Sequence, residues 1–152
     1  EWRRDAAAEM DVYAQGEIGG EGLQVLFDAV GEFGFGRDAN LGRGRFSATV
    51  EPADPRLFAH DGNRFLSLSH GVLTDNMAAP FYKLHTHYGK LGGLYAGGER
   101  SPFKHPLLLA RPGATFSPAD AGPFGALLAD VHPHHPEIRQ NAWHLCLPFT
   151  VA

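Results

Sequence analysis

Hydrophobic and polar residues follow two different periods along the chain. After a Gly-Gly pair, apolar residues recur at helical spacing over residues 23–33, which predicts an amphipathic helix. Alternation with a period of two predicts strands at residues 11–18, 45–51 and 65–69. The first half of the chain is therefore expected to contain strand, helix, strand and strand in that order.

The second half contains further strand-like segments. We expect two arms of a long insertion at residues 82–88 and 106–110, joined by a glycine-rich stretch at residues 89–98. A short helix-prone piece at residues 76–81 is interrupted by a proline. Residues 143–151 predict a closing strand with its aromatic and aliphatic side chains on one face.

This element order predicts an α+β fold, a ferredoxin-like (RRM-type) βαββαβ sandwich with a long hairpin or loop insertion. A chain of 152 residues that is 43% hydrophobic and 20% charged is expected to form one domain, residues 1–152. Trp143, Leu147 and Phe149 are its expected core residues, with Cys146 as a buried or half-buried thiol. The abrupt start in a strand suggests the C-terminal half of a longer protein.

Composition limits the classes of function. One cysteine excludes an internal disulfide and a thiolate metal cluster. No apolar run is long enough for a bilayer, and the first residues lack the apolar core of a signal peptide. We therefore expect a soluble cytoplasmic protein without a membrane partner or a cofactor.

The net charge of −4 argues against nucleic acid at first, but the charges are unevenly distributed. Residues 1–30 hold two arginines against seven carboxylates, whereas residues 81–113 hold five lysines and arginines against one glutamate. A local contact with nucleic acid, or one shared with basic partners, is compatible with this distribution.

The most informative segment is F-G-F-G-R-D-A-N-L-G-R-G-R-F at residues 33–46. Its glycines permit backbone conformations that a Cβ forbids, and its arginines add fixed positive charge, so the expected ligand is a phosphodiester backbone. Two lysines of the later glycine-rich segments extend the prediction. The predicted RNA-binding residues are Gly34, Gly36, Arg37, Asn40, Gly42, Arg43, Gly44, Arg45, Lys90 and Lys104.

Two nucleotide-binding motifs do not fit this segment. A Walker loop needs Lys and then Ser or Thr after its last glycine, but Gly42 is followed by Arg43 and Gly44. A dinucleotide fingerprint lies between strand and helix, whereas this segment follows the predicted helix, and Ala39 occupies the place of the third glycine. A plain helix-to-strand connection with two tight turns remains the alternative.

The segment resembles the glycine-rich signature of the RAMP superfamily of CRISPR-associated proteins, with Arg43 in place of the usual apolar residue between the last two glycines. The order of F-L-S-L-S, F-Y-K-L-H-T-H-Y-G-K, K-H-P-L-L-L-A-R-P-G-A-T-F and W-H-L-C-L-P-F-T-V is similar to the C-terminal half of Csm subunit four of type III-A effector complexes. The resemblance covers nearly the whole chain from about Val12 onward. A related type III-B subunit is the alternative.

The resemblance implies a non-catalytic RNA-binding subunit in antiviral defence. Such subunits hold the 5′ tag of the CRISPR guide RNA (crRNA) and dock the large polymerase-like subunit, beside the backbone RAMP subunit of the Csm complex. Phosphate contacts position an RNA without reading its sequence, so reading the tag would need stacking or base-edge contacts. The candidates for those contacts are Phe35, Asn40, Tyr82, Tyr88 and Tyr95.

Histidines suggest two other functions. A single histidine could act as general base on an RNA 2′-OH, as in guide-processing RAMP endonucleases, with His60, His70, His85 or His87 as candidates. Alternatively, the pair His85 and His87 or the cluster at residues 132–135 could bind a metal ion. No acidic residue lies at ligand spacing beside either group, so residues 132–136 are expected to form a solvated turn.

Overall fold

The computed structural model describes most of the chain and divides it into two compact units, Glu1–Asp54 and Pro55–Ala152, called here the N-terminal and C-terminal units. The residues that the structure describes are 9–36, 39–58, 61–92, 95 and 101–151.

In the described part of the N-terminal unit, the main element is a helix, α1, at Gly20–Phe33. It confirms the prediction from helical spacing. A glycine-rich loop follows, with a single 3-10 turn at Ala39–Leu41. The chain then returns along α1, where Gln24 donates a hydrogen bond to the Ala48 carbonyl (2.9 Å) and accepts one from the Val50 amide (2.8 Å). A side chain of α1 thus provides hydrogen-bond partners for the backbone of the returning segment.

The strands predicted at residues 11–18 and 45–51 are wrong, since neither fully described segment contains a strand. A strand needs a neighbouring strand to satisfy its amide and carbonyl groups. The returning segment lies against a helix, where Gln24 replaces part of that ladder. Residues 11–18 are exposed at every position, so their alternation buries no face.

The C-terminal unit is mainly antiparallel sheet, preceded by a single helical turn, α2, at Pro55–Phe58. Its strands are β1 (Arg64–Ser67), β2 (Met77–Phe81), β3 (Leu84–His87), β4 (Leu107–Ala110), β5 (Thr115–Pro118), β6 (Gly125–Leu128), β7 (Gln140–Trp143) and β8 (Cys146–Phe149). A four-stranded sheet has the order β2-β5-β1-β8, while β3 pairs with β4 and β6 with β7.

The segment predicted to be helix-prone at residues 76–81 is the edge strand β2, so that prediction is wrong. Met77 pairs with Pro118 and Phe81 with Thr115, and the register shifts between Ala78 and Phe81. A proline is tolerated here because an edge strand need not donate every amide to a neighbour.

The paired arms predicted at residues 82–88 and 106–110 are confirmed by β3 and β4, which pair along their whole length from Leu84↔Ala110 to His87↔Leu107. The bridge between Lys90 and Phe103 continues the pairing toward the tip. These strands and their extension are called the hairpin below.

The closing strand predicted at residues 143–151 is interrupted, and its two parts belong to different sheets. β7 ends at Trp143 and β8 begins at Cys146. Between them, the Leu145 amide donates to the Ser69 hydroxyl (2.9 Å), and the imidazole of His144 is buried. These contacts turn the chain from β6 toward β1.

The core of the C-terminal unit is aromatic. Phe116 is fully buried and lies 4.8 Å from Phe124, ring centre to ring centre, with Phe65 at 6.0 Å from Phe116. Cys146 packs half-buried against this cluster, as predicted. Trp143 is exposed, so its assignment to the core is wrong.

The structure therefore has an α+β fold with few helices. In the described residues, no helix combines the length and the apolar composition needed to cross a bilayer.

Candidate nucleic-acid interface

The glycine-rich loop closes on its own backbone. The Phe35 amide donates to the Gly44 carbonyl (2.9 Å), and the Gly34 amide caps the helix by donating to Val30 (2.8 Å). A Cβ on Gly34 would overlap the Arg43 carbonyl, and one on Gly44 would overlap the Phe35 carbonyl. At these two positions, glycine is required because another part of the same loop lies too close for a Cβ.

Gly36 and Gly42 differ from that pair. Both have positive φ angles, 107° and 75°, which disfavour any residue with a Cβ. A Cβ at either position would meet nothing within 4 Å. Among the described residues, space is therefore left beside these two positions, although the Gly42 amide donates to the Ala39 carbonyl (2.9 Å) and the Gly36 carbonyl accepts from the Ala39 amide (3.3 Å).

The structure describes two of the three arginines of this loop. Arg43 and Arg45 have exposed side chains. They do not leave an extended strand, because Gly42 and Gly44 have left-handed φ angles of 75° and 72°. Arg37 lies outside the described residues. For Asn40, the structure describes the backbone within the 3-10 turn but not the side chain.

The two predicted lysines belong to the C-terminal unit and lie near each other in the hairpin extension. The Lys90 ammonium lies 5.8 Å from the centre of the Phe103 ring. The Lys104 amide donates to the Gly89 carbonyl (2.9 Å), and its ammonium donates to the Gln140 side chain (2.9 Å). Lys104 is therefore held by a polar contact, while Lys90 remains exposed above an aromatic ring.

Three of the four candidate histidines converge on the hairpin. The rings of His70 and His85 are 5.0 Å apart, centre to centre, and those of His85 and His87 are 6.4 Å apart. His60 lies outside the described residues. His70 reaches this position because the neighbouring Gly71 forms a bridge with Ala110 of β4.

Burial lowers the pKa of His70, and the nearby side chains of His85, Arg111 and His87 lower it further. Arg111 lies opposite Lys83, since its amide donates to the Lys83 carbonyl (2.9 Å). Sequence reasoning missed both basic residues as partners of the histidines. The spacing of Lys83, His85 and His87 at every second residue was the signal that could have included the lysine.

The segment at residues 132–136 is not simply a solvated turn, because His132 is buried. Its Nδ1 accepts a hydrogen bond from the His134 amide (3.2 Å), so its Nε2–H donates to the Ser101 carbonyl (3.1 Å). His135 contacts a carboxylate oxygen of Glu137 at 3.2 Å, so the expectation that no acidic residue accompanies this cluster is wrong. A group of three or more metal-binding side chains suited to an ion is absent from the described part of the chain.

A buried serine of β1 and a buried histidine between β7 and β8 form a polar pair. The Ser67 hydroxyl is 2.6 Å from Nδ1 of His144, whose Nε2 lies 3.2 Å from the Val72 carbonyl. Burial lowers the pKa of His144, although the contact with Val72 opposes this effect. Because Ser67 is completely inaccessible, this pair serves packing and does not present a nucleophile.

The aromatic candidates for base stacking are all exposed to some degree. Phe35 and Tyr88 are the most accessible, at 75% and 72%, followed by Tyr95 and Tyr82. The Tyr95 ring meets the His135 ring edge to face at 4.9 Å.

Comparison with known proteins does not assign the chain to a family. No family model matches the chain, and the search of curated proteins gives no significant match.

Proposed function

We propose that this chain is a non-catalytic guide-RNA-binding and assembly subunit of a type III CRISPR effector complex. It would hold the 5′ tag of the guide RNA, contact the large polymerase-like subunit and act in the cytoplasm. The RAMP resemblance supplies the identity of the complex. The physical support comes from the glycine-rich loop.

The observation that carries the proposal is the space left beside Gly36 and Gly42, next to the exposed side chains of Arg43 and Arg45. A phosphate group fits a site where glycines leave space for the ligand and arginines supply positive charge. Gly34 and Gly44 have a different role, since they let the loop close and fix where the two arginines leave the backbone.

We also propose that the C-terminal unit is a ferredoxin-like sheet whose crossover helices have been replaced. In such a sheet, the four strands lie in the order fourth, first, third, second. Taking β1, β2, β5 and β8 as the four strands, the observed order β2-β5-β1-β8 is this order in reverse, with every pairing antiparallel. The connection from β2 to β5 contains the hairpin, and the connection from β5 to β8 contains β6 and β7.

The test is guide-RNA retention by a type III-A effector complex assembled with this chain. The double substitution Arg43→Ala and Arg45→Ala should reduce the RNA that copurifies with the complex, because two phosphate contacts are removed. The matched control is Arg139→Ala, which removes an exposed arginine of the C-terminal unit that contacts only nearby carbonyl groups in the described structure. Equal retention in the double variant and the control would count against the proposal.

A second candidate function is metal-independent RNA cleavage, favoured by the convergence of His70, His85 and His87. One neutral imidazole would take the proton of a 2′-OH while that oxygen attacks the adjacent phosphorus. A protonated imidazole would give its proton to the leaving 5′ oxygen, so the products are a 2′,3′-cyclic phosphate and a 5′-OH. Arg111 would stabilise the charge that develops on the phosphate.

Cleavage is tested by incubating the protein with repeat RNA in the presence of a chelator. Specific products that disappear in both His70→Ala and His85→Ala would replace the binding proposal with the endonuclease. Intact RNA under conditions where the protein binds it would exclude cleavage.

A further inference from the structure

One face of the hairpin carries basic side chains in adjacent rows. Residues directly opposite each other in an antiparallel pair share a face, and so do residues two apart in one strand. The pairing of His85 with Leu109 therefore places Lys83 and Arg111 on the same face as His85 and His87.

The segment beside β4 adds another basic residue to this face. The bridge between Gly71 and Ala110 sets His70 opposite Arg111. Lys83, Arg111 and His70 therefore form one row across three adjacent segments. The 5.0 Å separation of the His70 and His85 rings shows that both reach over β4 from its two sides.

The face continues toward the tip of the hairpin. A Cβ placed on Gly89 would lie 2.9 Å from the side chain of Lys104 and 3.3 Å from Nε2 of His87. The lysine stem and the imidazole thus adjoin over a glycine that leaves room for both. We call the set Lys83, His85, His87, Lys104, Arg111 and His70 the basic hairpin face.

The other positions that the register places on this face are not acidic. They are Leu107, Leu109 and Val72, of which Leu109 is buried and the other two are half-buried. Lys83, Arg111 and His70 are exposed, and the remaining imidazoles are half-buried. The face therefore presents cations and flat rings, without a protruding apolar side chain.

From this geometry we propose that the basic hairpin face binds the sugar-phosphate backbone of single-stranded RNA and binds it more tightly as the pH falls. The inference rests on the proposed function in taking RNA as the ligand, but it assigns a surface outside the glycine-rich loop. From the Lys83 row to Lys104 the face extends for about 20 Å, which accommodates several nucleotides.

Charge and shape favour RNA over a lipid bilayer. A membrane-binding surface combines basic residues with apolar side chains that enter the lipid, whereas Leu109 at the centre of this face is buried. Histidine rings stack on unpaired bases, while lysine and arginine contact phosphates. This combination fits a single strand whose bases are accessible.

The pH dependence follows from the histidines between the fixed cations. Imidazoles gain a positive charge within the range of about pH 5 to 8, which strengthens attraction to phosphate. Partial desolvation of the ring and the nearby His85, Arg111 and His87 lower the pKa of His70, so its contribution appears toward the acidic end of that range. The lysine and arginine side chains of this face are the fixed cations that supply the binding at higher pH.

The binding test uses the purified chain and a fluorescent oligouridylate, measured by anisotropy at about pH 6 and pH 8. We expect binding to be about three- to tenfold tighter at the lower pH. The triple substitution of His70, His85 and His87 to Gln should remove this difference, because glutamine gains no charge at the lower pH, and should weaken binding at pH 8 only by the lost ring contacts. A pH response that persists in the triple variant would overturn the role of the histidines.

A second pair of measurements tests the fixed charges. Lys83→Ala with Arg111→Ala should weaken binding at both pH values and reduce the slope of log affinity against log salt by about 1.4, about 0.7 for each phosphate contact. Arg139→Ala is the control and should leave affinity and slope unchanged. Circular dichroism and thermal melting establish that each variant is folded. Unchanged affinity in the folded double variant would overturn the site.

The result can be separated from the test of the glycine-rich loop. If Arg43→Ala with Arg45→Ala leaves guide retention intact, the loop proposal fails while oligouridylate binding by the hairpin can still hold. If Lys83→Ala with Arg111→Ala is without effect, the hairpin inference fails independently. Competition by polyglutamate as effective as competition by unlabelled oligouridylate would show a general polyanion surface and overturn the choice of RNA.

Discussion

The substitution Gly44→Ala should open the glycine-rich loop, whereas Gly42→Ala should only strain it. Both glycines have nearly the same left-handed conformation, with φ angles of 72° and 75°. A Cβ on Gly44 would overlap the Phe35 carbonyl, while one on Gly42 would meet nothing within 4 Å. The two variants therefore differ in steric overlap but hardly in backbone strain.

The expected magnitudes follow from these differences. A left-handed alanine costs about 1–2 kcal/mol, partly offset by the reduced freedom of the unfolded chain. For Gly44→Ala, relieving the overlap also breaks the hydrogen bond from the Phe35 amide, worth about 1 kcal/mol, and separates the packed backbones. We expect destabilisation of about 1 kcal/mol for Gly42→Ala and about 3 kcal/mol for Gly44→Ala.

Native-state hydrogen exchange measures this difference at the site. The Phe35 amide, bonded to the Gly44 carbonyl, should exchange about 30-fold faster in Gly44→Ala than in Gly42→Ala if about 2 kcal/mol separates them. The Leu23 amide, bonded to Gly19 at the start of α1, is the internal reference. Equal acceleration of Phe35 exchange in both variants would refute the assignment of Gly44 to loop closure.

Three further predictions concern the C-terminal unit. Because burial lowers the pKa of His144, the free energy of unfolding should fall as the pH drops below the unfolded value of 6.5, and urea titrations of His144→Gln should show a smaller loss. The pKa of Cys146 is raised by burial to about 11 from 9.0, so alkylation of the folded protein near neutral pH should be about 100-fold slower than in urea, and equal rates would contradict this. A Cβ on Gly71 would lie 2.5 Å from the His144 ring, so Gly71→Ala should cost about 2 kcal/mol in urea unfolding. Gly92→Ala, where a Cβ meets nothing within 4 Å, should cost less than Gly71→Ala, and equal losses would contradict the packing argument.

The sequence determined the elements whose periodicity and partners are local. Helical spacing located α1, alternation located β1, and two strand-like segments on either side of a glycine-rich stretch located the paired strands of the hairpin. The half-buried state of Cys146 was also predictable, since a small thiol beside apolar residues packs readily. These features depend on short stretches of chain that carry their own pattern.

The tertiary structure decided which alternating segments become strands. Residues 11–18 and 45–51 alternate as clearly as β1 does, but alternation does not specify a hydrogen-bonding neighbour. Gln24 supplies partners to the returning segment near α1. The expected strand at residues 143–151 divides because the Leu145 amide bonds to Ser69 from a distant part of the chain.

The same distinction applies to the candidate sites. The sequence located the glycine-rich loop, but only backbone proximity separates Gly44, which meets Phe35, from Gly42, which faces open space. The spacing of His85 and His87 placed them on one face of a strand. His70 and Arg111 joined them because the Gly71 bridge to Ala110 aligns segments that are remote in sequence. Sequence spacing specifies which residues of one strand share a face, whereas long-range pairing specifies which strands bring their faces together.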